Sequence, residues 1–186
     1  MSRIGRLPIE VPANVTVDFT VDNYVVVTGP KGSLRQVMDT CITLNREENN
    51  GKKLVVLTRN SEMPAVKAKH GLYRALIADM VKGVTDGYSK SLVVAGVGYK
   101  VEVKANKLVM NIGFSHQVNV DIPEGITVTC PNATEIVVSG ISKEKVGQFA
   151  ADIKAIKPVE PYHGYGIHYK DETVRMKEIK KGAKKK

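Results

Sequence analysis

The chain has 186 residues, 42 % of them hydrophobic, enough for one large core or two small ones. Its 28 Lys and Arg outnumber 19 Asp and Glu, and the net charge of +9 predicts a polyanionic partner, nucleic acid before membrane. No run of about 18 apolar residues occurs, and Met1 to Arg6 lacks the apolar stretch of a secretory leader, so a cytoplasmic protein without a membrane-spanning helix is expected. Cys41 and Cys130 stand alone, with no CxxC and no His at ligand spacing, which argues against zinc and predicts two reduced thiols.

The opening places Arg3 and Arg6 around Gly5, either a frayed basic terminus or an RNA-contacting arm, and alternates into a strand after Pro8 and Pro12. Val15, Val17, Phe19 and Val21 alternate with Thr16, Asp18, Thr20 and Asp22, the period of a half-buried strand. Asp22-Asn23 is a turn signal, and Tyr24 to Gly29 is the answering strand of an antiparallel hairpin. Gly29 to Ser33 reads GPKGS. It lacks the GKS or GKT ending of a phosphate-binding loop, and its GxxG is flanked by strands where a KH module needs helices. A Pro-Gly turn is the expectation. Further strands follow around a polar turn at Asn49 to Lys53.

A first helix is predicted from Asn60 or Ser61 to Val84, with either residue as cap, Pro64 in the first turn and Gly83 at the end. Tyr73, Leu76, Ile77, Met80 and Val84 form its core stripe. Lys67, Lys69, His70 and Arg74 fall elsewhere on the wheel, as a solvated basic face or one that meets RNA or a neighbouring protein.

Periodicity lapses at Thr85 to Ser91, which predicts an N-terminal domain over residues 1–82, a C-terminal domain over 83–175 and a basic tail over 176–186. Leu92 to Pro123 reads as three or four antiparallel strands, with turns at Ala105-Asn106 and Gly113 to His116. Gly96-Val97-Gly98 lies within that alternation with no helix after it, so a bulge or close packing is expected, not a dinucleotide site. Ile126 to Gly140 supplies a hairpin. A second helix follows Ser142, with Val146, Phe149, Ala150, Ile153 and Ile156 on one face.

Both halves run through strands, a strand of type LVVLT or EIVVSG, a Ser or Asn cap, and one amphipathic helix. NYVVVTGPKGSLRQVMD lines up in kind with NKLVMNIGFSHQVNVDI. The predicted fold is therefore α+β: two tandem duplicated domains, each a mainly antiparallel sheet with one helix on one face, plus a basic C-terminal extension.

Lys157 to Lys186 shows neither strand nor helix period until its last turns, and is expected to be a shaped extension outside the core. Pro158 and Pro161 direct the chain out of the helix, and Gly164 and Gly166 permit positive φ or close approach of the backbone. Tyr162, Tyr165 and Tyr169 interleave with His163, His168 and Lys170, aromatic faces among cations that suit bases and phosphates. From Lys170 onward eight Lys or Arg face three Asp or Glu, so 8 − 3 = +5 of the net charge sits at the end.

The pattern PxEPYxGxGIxYxxExVRxKE in this segment is similar to the C-terminal signature of a large-subunit ribosomal protein family, the sixth in the bacterial series. MSRIGRLPIEVP resembles that family's opening. The resemblance implies two duplicated domains bound to large-subunit rRNA near the factor-binding region, the sarcin-ricin loop and the stalk base, beside neighbouring ribosomal proteins. It implies RNA contact at Lys157, Tyr162, Gly164, Gly166, Tyr169, Lys170, Arg175 and Lys177, with Arg3 in the N-terminal arm. His163 and Tyr165 stand where the family pattern has Lys, and are counted as candidates by position.

No HExxH, no GxSxG and no paired carboxylates in an apolar setting occur. No enzymatic activity, cofactor, metal or small-molecule substrate is predicted. The leading expectation is a structural constituent of the large ribosomal subunit. The alternatives are a free-standing RNA-binding or RNA-chaperone module, and a protein-interaction module with a solubilising tail.

Overall fold

The computed structural model describes residues 4–20, 23–49 and 51–178. Six strands lead to the first helix: β1 (Ile9–Val11), β2 (Thr16–Phe19), β3 (Tyr24–Gly29), β4 (Gly32–Val37), β5 (Ile42–Asn49), β6 (Lys52–Arg59) and α1 (Pro64–Thr85). The cycle then repeats as β7 (Tyr88–Ala95), β8 (Lys100–Lys104), β9 (Lys107–Asn111), β10 (Val118–Asp121), β11 (Ile126–Asn132), β12 (Glu135–Gly140) and α2 (Lys143–Ile156), with one more strand, β13 (Gly166–Tyr169). The chain divides into two compact units between Tyr88 and Ser89, with Ile141–Lys143 counted to the first.

Each unit holds two sheets in the same order. The first has β1-β6-β5 and β2-β3-β4; the second has β10-β9-β8 and β11-β12-β7-β13. Strand for strand, β7-β12-β11 repeats β1-β6-β5, and β8-β9-β10 repeats β2-β3-β4. The aligned stretches NYVVVTG and NKLVMNI are the corresponding central strands β3 and β9. What the second unit adds is β13, paired antiparallel to the outer side of β7 with Gly166 opposite Ala95 and Tyr169 opposite Leu92.

Turn chemistry sets the hairpin registers. Ala105 and Asn106 both take positive φ, at 45° and 60°, the conformation of a two-residue hairpin whose twist matches its strands. Pro30-Lys31 closes β3 onto β4, with Gly29 opposite Gly32. The same turn covers the end of α1, because the Lys31 N–H donates to the Val84 carbonyl at 3.1 Å. Among the fully buried side chains of the first unit are Val25, Val27, Ile77 and Val84, and α1 packs on β3 and β6. In the second, Leu92, Leu108, Met110, Ile136, Ile153 and Ile167 are buried completely.

Several local expectations are corrected. Helix α1 starts at Pro64, with Met63 in the cap position and no side-chain cap; Ser61 Oγ instead accepts from the Met63 N–H at 3.3 Å. Proline at the first helical position needs no partner for its nitrogen, which lowers the demand for a cap. The helix passes Gly83 and ends at Thr85, where Gly87 at φ 79° turns the chain and both Asp86 and Gly87 donate N–H to the Lys82 carbonyl. The loop expected at residues 85–91 is thus reduced to Asp86-Gly87 before β7.

His70 is not on a solvated face. It is 3 % exposed, with Nε2 2.9 Å from the Leu57 carbonyl oxygen and Nδ1 3.2 Å from the Arg59 guanidinium. A ring donating from Nε2 and accepting at Nδ1 satisfies both contacts as the neutral tautomer. The other cations of that face are also engaged: Lys67 pairs with Glu62, Lys69 with Asp39, and Arg74 donates to the Leu7 and Pro8 carbonyls.

Gly96-Val97-Gly98 is a turn, not part of a strand, with the Tyr99 N–H donating to the Gly96 carbonyl and Gly98 at φ 76°. The segment after α2 is no mere extension either. Gly166–Tyr169 is a sheet strand, and Ile167 lies in the core at 0 % exposure. Four residues are too few to display a period, and their partner strand lies more than 70 positions earlier in the chain.

Candidate nucleic-acid interface

Helix α2 ends at Ile156, and Pro158 bridges back to Ile167 while the Ile167 N–H donates to the Lys157 carbonyl at 2.8 Å. The residues between form a closed loop. Glu160 N–H donates to the Tyr165 carbonyl at 2.9 Å, and Gly164 N–H to the Glu160 carbonyl at 3.0 Å. Gly164 sits at φ 74°, a left-handed conformation that costs glycine least.

Closure leaves the side chains outside. Tyr162 is 47 % and Tyr165 41 % exposed. His163 is exposed as well; its ring stacks on Tyr165 with centroids 5.7 Å apart, and its Nδ1 lies 3.2 Å from Glu160 Oε2. Tyr162, His163, Gly164 and Tyr165 therefore come together as one tip.

The remaining candidates are placed differently. Gly166 is buried, and a Cβ there would stand 2.6 Å from the Pro158 carbonyl oxygen and 2.7 Å from Val159 Cα. Its close approach is to its own chain. The Tyr169 ring has the Lys154 ammonium 4.9 Å and the Lys90 ammonium 5.5 Å from its centroid, within cation–π range. Lys154 also pairs at 2.6 Å with Glu172, which caps the Tyr169 N–H. The Lys154 hydrogen bond, then that N–H, hold the Glu172 carboxyl below its ordinary range.

Lys170 pairs with Glu135 at 2.9 Å, and that hydrogen bond raises its pKa and keeps it charged. The Lys157 ammonium lies 4.7 Å from the Phe114 ring centroid and 5.8 Å from that of Tyr99. Arg175 and Lys177 are exposed, and the Lys177 N–H donates to the Pro161 carbonyl at 2.8 Å, bringing the chain beyond β13 back along the loop. Arg3 and the lysines from Lys180 onward lie outside the described residues.

Sequence reasoning missed Glu160, Lys154 and Met176 as organisers of this site. The spacing of Glu160 and His163 could have suggested their pairing. Nothing local tied Lys154 to Tyr169, or the Met176 thioether to Gly164, whose Cβ would stand 3.3 Å from the sulfur. Among the described residues no cluster of three His, Cys, Asp or Glu could hold a metal, and no helix is long and apolar enough to cross a membrane.

A family model described as Ribosomal protein L6 matches the chain twice, over residues 11–87 and 95–170. The chain belongs to the ribosomal protein L6 family. The two matches fall on the two strand-and-helix cycles, so the L6 pattern itself repeats within the chain. "Large ribosomal subunit protein uL6" of Clostridium beijerinckii is 51 % identical over 184 residues, 99 % of this chain and 100 % of that protein. The uL6 proteins of Dictyoglomus thermophilum and Latilactobacillus sakei are 46 % identical over 184 residues (99 % of this chain, 100 % of that one) and 48 % identical over 182 (98 % and 99 %). In this L6 chain the second match ends at Lys170, with β13 inside it and Arg175 and Lys177 beyond.

Proposed function

We propose that the protein is a structural constituent of the large ribosomal subunit in the bacterial cytoplasm, and that it binds large-subunit rRNA through the loop from Lys157 to Lys177, near the translation-factor binding region and stalk base. The observation that carries the RNA contact is the closed tip itself. Two exposed tyrosines and a histidine stand on a loop whose backbone is closed by hydrogen bonds, and a backbone already ordered loses little freedom when the aromatic faces meet bases. Arg175 and Lys177 follow on the same strand of chain and meet phosphates, while Lys157, held over the Phe114 and Tyr99 rings, adds positive field. Membership of the L6 family and similarity to uL6 proteins along the whole chain support assembly into a particle. In that particle the protein orders RNA and does no chemistry.

Sedimentation of large subunits after a high-salt wash tests this reading. The protein is expected to remain with the particle; its loss from washed subunits would favour a free-standing RNA-binding or RNA-chaperone module.

A further inference from the structure

Resting on that RNA-binding reading, we infer a second RNA contact in the same unit, formed by the turn at Val97 and the turn at Phe114 to His116, which takes an unpaired base. Val97 is 85 % exposed at the tip of a turn between two glycines, and Phe114 is 40 % exposed. Val97 is not explained by the turn it occupies: a turn tip is met by Ser or Asn, and a β-branched apolar residue is a poor choice for one. The Phe114 ring is presented rather than loose. His116 stacks beside it with centroids 6.1 Å apart and planes 22° from parallel, and the Lys157 ammonium lies 4.7 Å from its centroid.

The Tyr99 ring braces both turns, since it fills the space a Cβ would need at Gly96 and at Gly113, the latter at φ 77°. Register places this patch beside the tyrosine tip. Ala95, the residue before the first turn, is the partner of Gly166, the residue after Tyr165. Lys157 joins them, its backbone bonded to Ile167 at the base of the tip and its ammonium over Phe114.

Charge selects RNA over an apolar protein partner. Residues 96–100 and 112–118 contain no carboxylate; Lys100 lies in the first stretch, His116 stacks beside Phe114 and the Lys157 ammonium lies over its ring. A base stacked on Phe114 with Val97 against its edge would keep its phosphates among these cations, the combination used for single-stranded segments.

The experiment uses the full chain, purified large-subunit rRNA and the variants Val97→Glu, Phe114→Ala and Tyr162→Ala, each with its thermal midpoint. Val97→Glu should bind rRNA roughly 5- to 150-fold more weakly, the span of one base stack, with an unchanged midpoint because the side chain is exposed. Wild-type affinity in Val97→Glu and Phe114→Ala beside a loss in Tyr162→Ala would overturn the second contact and leave the tip standing. No binding by the wild-type chain would overturn both readings. A photo-crosslinking residue at position 97 in assembled large subunits gives an independent readout: a cross-link to rRNA is expected, and one to a ribosomal protein, or none, counts against the patch.

Discussion

The carbonyl oxygen of Pro158 occupies the place where Gly166 would carry a side chain, 2.6 Å from an ideal Cβ. The chain leaves α2 at Pro158 and returns into β13 at Gly166, so the two backbones cross in contact and no larger residue fits between them. At φ 141° the glycine is also in a region other residues avoid. Gly166→Val should therefore cost more than about 2 kcal/mol through strain and overlap, seen as a lowered thermal midpoint. Gly164→Ala meets only the flexible end of Met176, and its cost should stay near the ~1 kcal/mol of a left-handed non-glycine residue. Equal midpoints for the two variants would contradict the packing described.

Burial of His70 between Leu57 and Arg59 gives a second test. In His70→Leu the Leu57 carbonyl loses its buried partner, a loss of roughly 1–3 kcal/mol. His70→Gln can keep one contact and should fall between. Gly5→Ala should also destabilise, because a Cβ there would overlap the His70 ring, with Cγ only 2.9 Å away. Denaturant titration of the three variants checks the order.

These two sites show what the sequence could and could not carry. The strand and helix cycle was legible because β3 and β9 bury alternate residues and α1 buries Ile77, Met80 and Val84 at helical spacing, and both patterns are local. His70 was misread because its partners sit on β6, and a polar residue on the inner side of a helix looks solvated until its acceptor is known. Ile167 was misread for the same reason: its neighbours on β7 are distant in the chain. Of the candidate interface, the tyrosine tip could be read from Pro161, Gly164 and the aromatic spacing. The intramolecular hold on Tyr169, Lys170 and Gly166 could not, since it depends on Lys154, Glu135 and Val159 converging in space.

The pairing of Asp39 with Lys69 predicts acid sensitivity. The Lys69 hydrogen bond, with help from the Cys41 N–H, holds the Asp39 carboxyl at about 2, below its ordinary 3.8. A carboxyl depressed on folding stabilises above its unfolded value and loses that contribution as pH falls through the folded one. The midpoint gap between wild type and Asp39→Asn should be full above about pH 4 and close toward pH 2. A gap independent of pH would mean the charge is not responsible. The same change should lower the Cys41 pKa, which Asp39 now raises, and speed its alkylation at mildly alkaline pH.

Tyr162 and Tyr169 should separate binding from folding. Tyr169 lies between two lysine ammonium groups on its own unit, so Tyr169→Ala should lower the thermal midpoint through the loss of cation–π contacts of about 0.5–1 kcal/mol each. Tyr162 is 47 % exposed at the loop tip, so Tyr162→Ala should leave the midpoint alone and weaken rRNA binding by ~1–3 kcal/mol, the worth of one stacked base. Arg175→Ala supplies a third behaviour: a phosphate contact carries no base preference, so affinity should fall for any RNA and the log–log salt slope should shrink by roughly 0.7–0.9. Titrations of the three variants at several salt concentrations, beside their midpoints, resolve the roles. If Tyr162→Ala melts early and binds like wild type, the tip belongs to the fold and the RNA contact lies elsewhere on the unit.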